Sequence, residues 1–224
     1  MHSFFITGTD TGVGKTYITA QLCTMFRKSG FDVGVMKPVS TGGQDDVKCL
    51  LKHTGLKDPL DLVNPIHFRQ PVAPTIAAKS EGKTINIRRI FSAYKKLKTI
   101  HKDGILIEGV GGALVPLNKG YLVVDLIKDF QVPAIIITRP TLGTVNHTLL
   151  TIEALKARKI PISGFIVNYN LPGNKPKSRL EKLTARESPM IIEQVSGVGE
   201  INIAFIRERL KHIKCAGPKA CPDS

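Results

Sequence analysis

The stretch "SFFITGTDTGVGKTYITAQL", Ser3 to Leu22, constrains the fold more than any other part of the chain. A short apolar, β-rich run ends at Thr7 and a glycine-rich loop follows from Gly8 to Thr16. Ile18, Leu22, Met25 and Phe26 then recur at helical spacing. A strand that passes through a glycine loop straight into a helix aims backbone N–H groups and the positive helix end at one point, where a polyphosphate is held. In a loop of this kind the lysine, here Lys15, neutralises β and γ oxygens, and the hydroxyl of Thr16 ligates magnesium. The loop departs from the form G-x-x-x-x-G-K-[ST] by one residue. Position 9 should be glycine and is Thr9, so the stretch from Gly8 to Lys15 is longer than the standard pattern.

Four further apolar runs, "VGVMK" (33–37), "GILIE" (104–108), "AIIIT" (134–138) and "SGFIVN" (163–168), are continuous rather than alternating and read as strands buried on both faces. Helical spacing appears between and after them. Val145, Leu149, Ile152 and Leu155 form one face behind Thr144, a predicted N-cap, and Ile203, Ile206, Leu210 and Ile213 form another. Strands alternating with helices imply right-handed crossovers and a mainly parallel central sheet covered by helices on both faces. The expected fold is a three-layer α/β domain of the phosphate-loop NTPase type. A chain of 224 residues, 42% hydrophobic, suits one such domain, expected over 1–214, with "CAGPKACPDS" (215–224) as a frayed tail.

The formal charge of +14 would serve nucleic acid, an anionic membrane or phosphorylated ligands alike. The lysines are scattered (Lys48, Lys52, Lys57, Lys79, Lys83, Lys95, Lys96, Lys98), which describes a solvated basic surface, so neither nucleic acid nor membrane is an expected partner. Cys23, Cys49, Cys215 and Cys221 form no C-x-x-C pair and have no histidine at zinc spacing, and are expected as free thiols in a reducing compartment. "MHSFFITGTD" lacks a basic leader, and no segment reaches the roughly 18 apolar residues of a membrane span. A soluble, cytoplasmic protein is expected.

In a parallel sheet ligands bind beyond the C-terminal strand ends. "KPVSTG" places Lys37 at that edge, with Pro38 barring a helix and Ser40 and Thr41 expected to carry free hydroxyls. A second cation near a γ-phosphate is what phosphoryl transfer needs. "GILIEGVGG" delivers Glu108 after an apolar run, the usual carboxylate half of a magnesium site beside a phosphate loop. The small residues Gly109, Val110 and Gly111 then let a ligand approach the backbone. Asp46 lies at a predicted helix start, where a capping role competes with metal binding.

Together "GTDTGVGKT", "KPVSTG", "IEGVGG" and "LGTVNH", in this order and at these distances, resemble the dethiobiotin synthetase family from about residue 3 to residue 170. That family carries the lengthened phosphate loop as its own variant. The resemblance implies an ATP- and Mg2+-dependent ligase that joins CO2 to 7,8-diaminononanoate and closes a ureido ring through a carbamate. It implies Lys15 and Lys37 as catalytic residues, and Thr16, Asp46 and Glu108 as ligands of magnesium. Nucleotide contacts are implied for Gly12, Val13, Gly14, Lys15, Thr16, Tyr17, Asp46, Glu108, Gly109, Val110, Gly111 and Asn168, the last toward adenine. Substrate contacts are implied for Thr11, Lys37 and Thr41. Leu142, Gly143, Thr144, Val145 and Asn146 are implied to bind the far carboxylate across the interface of a homodimer. A positioning ATPase switch is the rival reading, but such switches carry a second lysine inside the phosphate loop, and none precedes Lys15 here.

Overall fold

The first strand, β1 (Phe4–Gly8), is hydrogen-bonded on both sides by strands far away in sequence, β5 (Gly104–Gly112) and β8 (Ala134–Thr138). β2 (Val33–Met36) continues the sheet beyond β5, and β9 (Ile162–Asn168) and β10 (Met190–Glu193) continue it beyond β8, giving the order β10-β9-β8-β1-β5-β2. Within this sheet all pairings are parallel except that of β10 with β9. This computed structural model describes residues 3–168 and 190–193. The five predicted strands are all present, within one residue at most ends; β5 is the exception, running four residues past Glu108.

The period of two in a strand sorts the apolar runs onto opposite faces. Phe5, Met36, Ile105, Ile107, Ala134, Ile136 and Ile162 enter one core, while Phe4, Ile6, Val33, Val35, Leu106, Ile135, Ile137 and Ile166 enter the other. Continuous apolar runs are therefore what a sheet covered twice requires, and each fully buried Leu, Ile or Phe stabilises the fold by about 1.5–3 kcal/mol. The second core is closed by α1 (Lys15–Lys28) and α2 (Asp45–Thr54). The first is closed by α4 (Pro74–Ser80), α5 (Ile87–Ile100), α6 (Val123–Phe130) and the inner side of α7 (Thr144–Lys156). The remaining pieces are a one-turn helix, α3 (Leu60–Val63), and two small ribbons, β3 (Val39–Thr41) with β4 (Ile66–Phe68) and β6 (Pro116–Asn118) with β7 (Tyr121–Leu122).

Three details depart from expectation. Thr144 is not the N-cap of α7; Gly143 is, with φ 90, a left-handed backbone that glycine adopts without a Cβ penalty. The expected apolar face of α7 is split, because Ile152 and Leu155 are buried whereas Val145 and Leu149 are 70% and 56% exposed. Cys23 is a free, buried thiol, but Cys49 is disulfide-bonded, contrary to the expectation of free thiols throughout. The predicted helix at 203–213 and the tail at 215–224 lie outside the described residues. Among the described residues no helix is long and apolar enough to cross a membrane.

Candidate active site

The phosphate loop is shaped by glycine where no other residue fits. Gly12 and Gly14 have φ 67 and 84, and Gly14 caps α1, whose first residue is Lys15. At Gly8 an added Cβ would lie 2.8 Å from Val13 Cγ2 and 3.0 Å from both the Asp10 carbonyl oxygen and Lys15 Nζ. The loop thus folds back over its own start and places the lysine ammonium there. Lys15 Nζ donates to the Asp10 carbonyl at 2.9 Å. Beside the loop, the β1–β5 register slips between Ile6↔Glu108 and Gly8↔Gly112. A Cβ at Gly109 would lie 2.8 Å from the Phe5 ring of β1 and one at Gly111 2.7 Å from Val115 Cγ2, so the small residues after Glu108 are required by close packing.

Three of the predicted groups meet at one carboxylate. Glu108, 1% exposed at the C-terminal half of β5, accepts hydrogen bonds on Oε1 from Thr16 Oγ1 at 2.7 Å and from Lys37 Nζ at 3.0 Å. Lys37 stands one residue beyond β2 and also pairs with Asp46 Oδ2. Asp46 is therefore not a cap: Gln44 occupies that position in α2, and the Asp46 side chain faces the buried lysine. Glu108 Oε2 is buried with no hydrogen-bond partner among the described residues.

The two lysines are driven in opposite directions. Burial, helped by the charge of Lys37 and opposed by Glu108, Asp46 and Asp10, pushes Lys15 down to about 8. Burial also works against the charged form of Lys37, but Glu108 and Asp46 outweigh it through charge and hydrogen bonds, and its pKa is raised. Lys37 is a satisfied cation. Lys15 is the more weakly held cation of the two, and an anion delivered to the loop would stabilise its charge.

Magnesium fits the oxygens gathered here. The Thr16 hydroxyl and the Glu108 and Asp46 carboxylates are hard donors of the kind that ion takes, and Glu108 Oε2 has no hydrogen-bond partner among the described residues. Among the described residues no group of three or more His, Cys, Asp or Glu could hold a metal, so the remaining ligands of such an ion must be phosphate and water, the usual arrangement for magnesium.

The other candidates are placed less centrally. Asn168, 1% exposed at the end of β9, donates Nδ2 to the Val13 carbonyl at 3.1 Å and so braces the phosphate loop. Val13 is buried beneath the loop; Thr11 and Gly12 are exposed, with the Thr11 amide bonded to Asp10 Oδ1 at 2.7 Å. Tyr17 packs against the core under α1, Val110 against the opposite core, and Gly109 lies against Phe5. Thr41 ends β3 half-buried. Leu142, Gly143, Val145 and Asn146 are exposed and, among the described residues, make no side-chain hydrogen bond to Lys15, Thr16, Lys37 or Glu108. Thr144 is tied to the loop indirectly: its hydroxyl shares a 2.6 Å hydrogen bond with Thr138 Oγ1, which also accepts from Thr9 Oγ1 at 3.3 Å.

Several residues were missed by sequence reasoning. Ser40 does not carry a free hydroxyl: its Oγ donates to Asn64 Oδ1 at 2.8 Å and lies 3.0 Å from His67 Nδ1. Asn64 and Thr138 join distant segments, and no local motif marks either one.

A family model described as an AAA domain matches residues 2–204. The ATP-dependent dethiobiotin synthetase of Thermodesulfovibrio yellowstonii is 41% identical over 210 residues, covering 87% of this chain and 85% of the relative. That of Nitrosopumilus maritimus is 43% identical over 195 residues (82% and 85%), and that of Bacillus velezensis 38% over 220 residues (95% and 89%). The chain belongs to the dethiobiotin synthetase family. It is an ATP-dependent ligase of biotin biosynthesis. The MinC:MinD cell division protein complex of Aquifex aeolicus superposes with a TM-score of 0.51 at 19% identity, over 94% of this chain and 78% of that one, a likeness of fold alone.

Proposed function

We propose that the enzyme carboxylates 7,8-diaminononanoate with CO2 and closes the ureido ring of dethiobiotin at the expense of ATP, in the cytoplasm. The observation that carries this reading is the convergence of Lys15, Lys37, Thr16 and Glu108 beside the phosphate loop. One substrate amine takes up CO2 as a carbamate, a carbamate oxygen attacks the γ-phosphorus and expels ADP, and the second amine displaces phosphate from the carbamic-phosphoric anhydride to close the ring. Lys15 meets the β and γ oxygens as they bind, together with the amides of Gly12, Val13, Gly14, Thr16 and Tyr17. Lys37, fixed between Glu108 and Asp46, stands where the carbamate meets the phosphorus and counters the charge that builds on the transferring group. Magnesium, held by Thr16, Glu108 and Asp46, supplies further neutralisation of the phosphates when bound. Thr11 and Thr41 flank the amine end, Gly109, Val110 and Gly111 line the nucleotide side, and Asn168 faces adenine.

The far carboxylate of the substrate binds at the start of α7 of a second copy, in a two-fold homodimer. An anion is favoured at a helix start, and Leu142, Val145, Leu149 and Leu150 make that end of α7 an exposed apolar surface suited to burial against a partner. Phosphate release from ATP tests the activity: it should require both 7,8-diaminononanoate and bicarbonate. Hydrolysis that ignores the diamine and rises instead with DNA or lipid vesicles would refute the assignment.

A further inference from the structure

Lys37 has left the sheet, so its backbone needs other partners, and both come from the short segment at the end of α3. The Lys37 N–H donates to the Val63 carbonyl at 2.7 Å, and the Lys37 carbonyl accepts from Asn64 Nδ2 at 2.7 Å. Asn64 Nδ2 also donates to the Ile66 carbonyl at 3.2 Å. We propose that Asn64 is the positioning residue of Lys37, oriented by a chain of hydrogen bonds that runs from His67 Nδ1–H through the Ser40 hydroxyl to Asn64 Oδ1. The proposal rests on the catalytic reading of Lys37.

Counting donors fixes the direction of this chain. Two carbonyls face one end of the Asn64 side chain, so that end is the NH2 group and the other is the oxygen. Ser40 has a single hydroxyl proton, which goes to Asn64 Oδ1 at 2.8 Å. His67 Nδ1, 3.0 Å from the same hydroxyl oxygen, must then be the donor to it. The imidazole satisfies this in its neutral form: burial, with the charges of Lys83 and Arg69 and against that of Glu81, holds His67 below its ordinary pKa. Asn64 and Ser40 are 5% and 2% exposed, so the bonds between them and to the Lys37 carbonyl are shielded from solvent, while His67 at the end of the chain is half-buried. β3 and β4 pair Ser40 with His67 and Thr41 with Phe68, which places the chain directly behind the strand end that carries Thr41. Lys37 is thereby held at both ends, its ammonium by Glu108 and Asp46 and its peptide by Val63 and Asn64.

The test uses the full-length enzyme, with kcat, KM, ATP affinity and thermal midpoint measured on each variant. Asn64→Asp keeps the shape but turns an acceptor toward two carbonyls, and misplacing a reacting group by an ångström can cost roughly 100-fold in rate. The expected result is a kcat loss of that order with ATP affinity within about twofold of the parent, since among the described residues Asn64 makes no hydrogen bond to the phosphate loop. His67→Asn restores an N–H where Nδ1–H stood and should keep most of kcat. His67→Asp offers only an acceptor there and should lower kcat by tenfold or more. An Asn64→Asp enzyme with unchanged kcat, or one whose ATP affinity falls in step with kcat, overturns the proposal. Equal kcat in His67→Asn and His67→Asp overturns it as well, and decides the matter should Asn64→Asp fail to fold. A Lys37→Ala enzyme that still turns over shows instead that the role given to Lys37 is wrong.

Discussion

Nucleotide binding should pull a proton onto Lys15, by an amount that pH controls. In the free protein burial holds this ammonium down to about 8, whereas β and γ phosphate oxygens beside it would keep it charged. About a tenth of the molecules carry neutral Lys15 at pH 7, about half at pH 8 and about nine tenths at pH 9, so uptake per nucleotide bound should follow those fractions. Affinity should weaken above pH 8, approaching tenfold per pH unit. The same displacement appears in stability with a definite sign. Between about 8 and 10.5 the unfolded chain binds more protons at this site than the folded one, so stability of the free protein rises with pH across that window. The full gain is about 3 kcal/mol. Calorimetric titration of ATP in two buffers of different ionisation enthalpy, at pH 7, 8 and 9, measures the uptake directly. Lys15→Arg, which stays charged throughout, should show none. Uptake that is equal at all three pH values, or that survives in Lys15→Arg, would mean that Lys15 is not the group that titrates.

Gly8→Ala places a methyl group 2.8 Å from Val13 Cγ2, and because Val13 is fully buried the loop must move rather than the valine. Overpacking of this kind costs about 1–3 kcal/mol, so nucleotide affinity should fall on the order of 10- to 100-fold with the fold retained by circular dichroism. For the shared site, mixing Lys37→Ala subunits with subunits altered at Gly143 and Thr144 should restore one working site per heterodimer. Heterodimers that form, as shown by tagged co-purification, but recover no activity would place the carboxylate pocket within one chain.

The strands were legible because a sheet covered on both faces demands continuous apolar runs, and few other structures use five of them at this spacing. α1 was legible for the same reason: Ile18, Leu22, Met25 and Phe26 are all buried. α7 was legible as a helix with one apolar face, but periodicity reports an apolar stripe without saying that Ile152 and Leu155 enter the chain's own core while Val145 and Leu149 stay exposed. Asp46 was legible as a position and ambiguous as a role, because an aspartate near a helix start has a sufficient local explanation until Lys37 is seen to reach it. Ser40, Asn64 and His67 were out of reach: each is an ordinary loop or edge residue alone, and only the pairing of β3 with β4 brings them together.

That pairing bears on why the site needs two lysines of such different character. A cation that must release its anion at the end of each cycle cannot be held by carboxylates as well, since they would compete with the phosphates. Among the described residues the Lys15 ammonium donates only to a backbone carbonyl, and burial lowers its pKa because no carboxylate is hydrogen-bonded to it there. In the proposed mechanism Lys37 meets a short-lived carbamate and the phosphorus together, which calls for a fixed position more than a free charge. Lys37 is clamped by Glu108 and Asp46, and its peptide is bonded by residues of another segment, so its position is set before any ligand arrives. Preorganised charge of this sort acts in the transition state without reorganising at the moment of reaction. The carboxylates that clamp Lys37 are the same ones that would hold magnesium in the proposed mechanism, so lysine and ion would share Glu108 and Asp46.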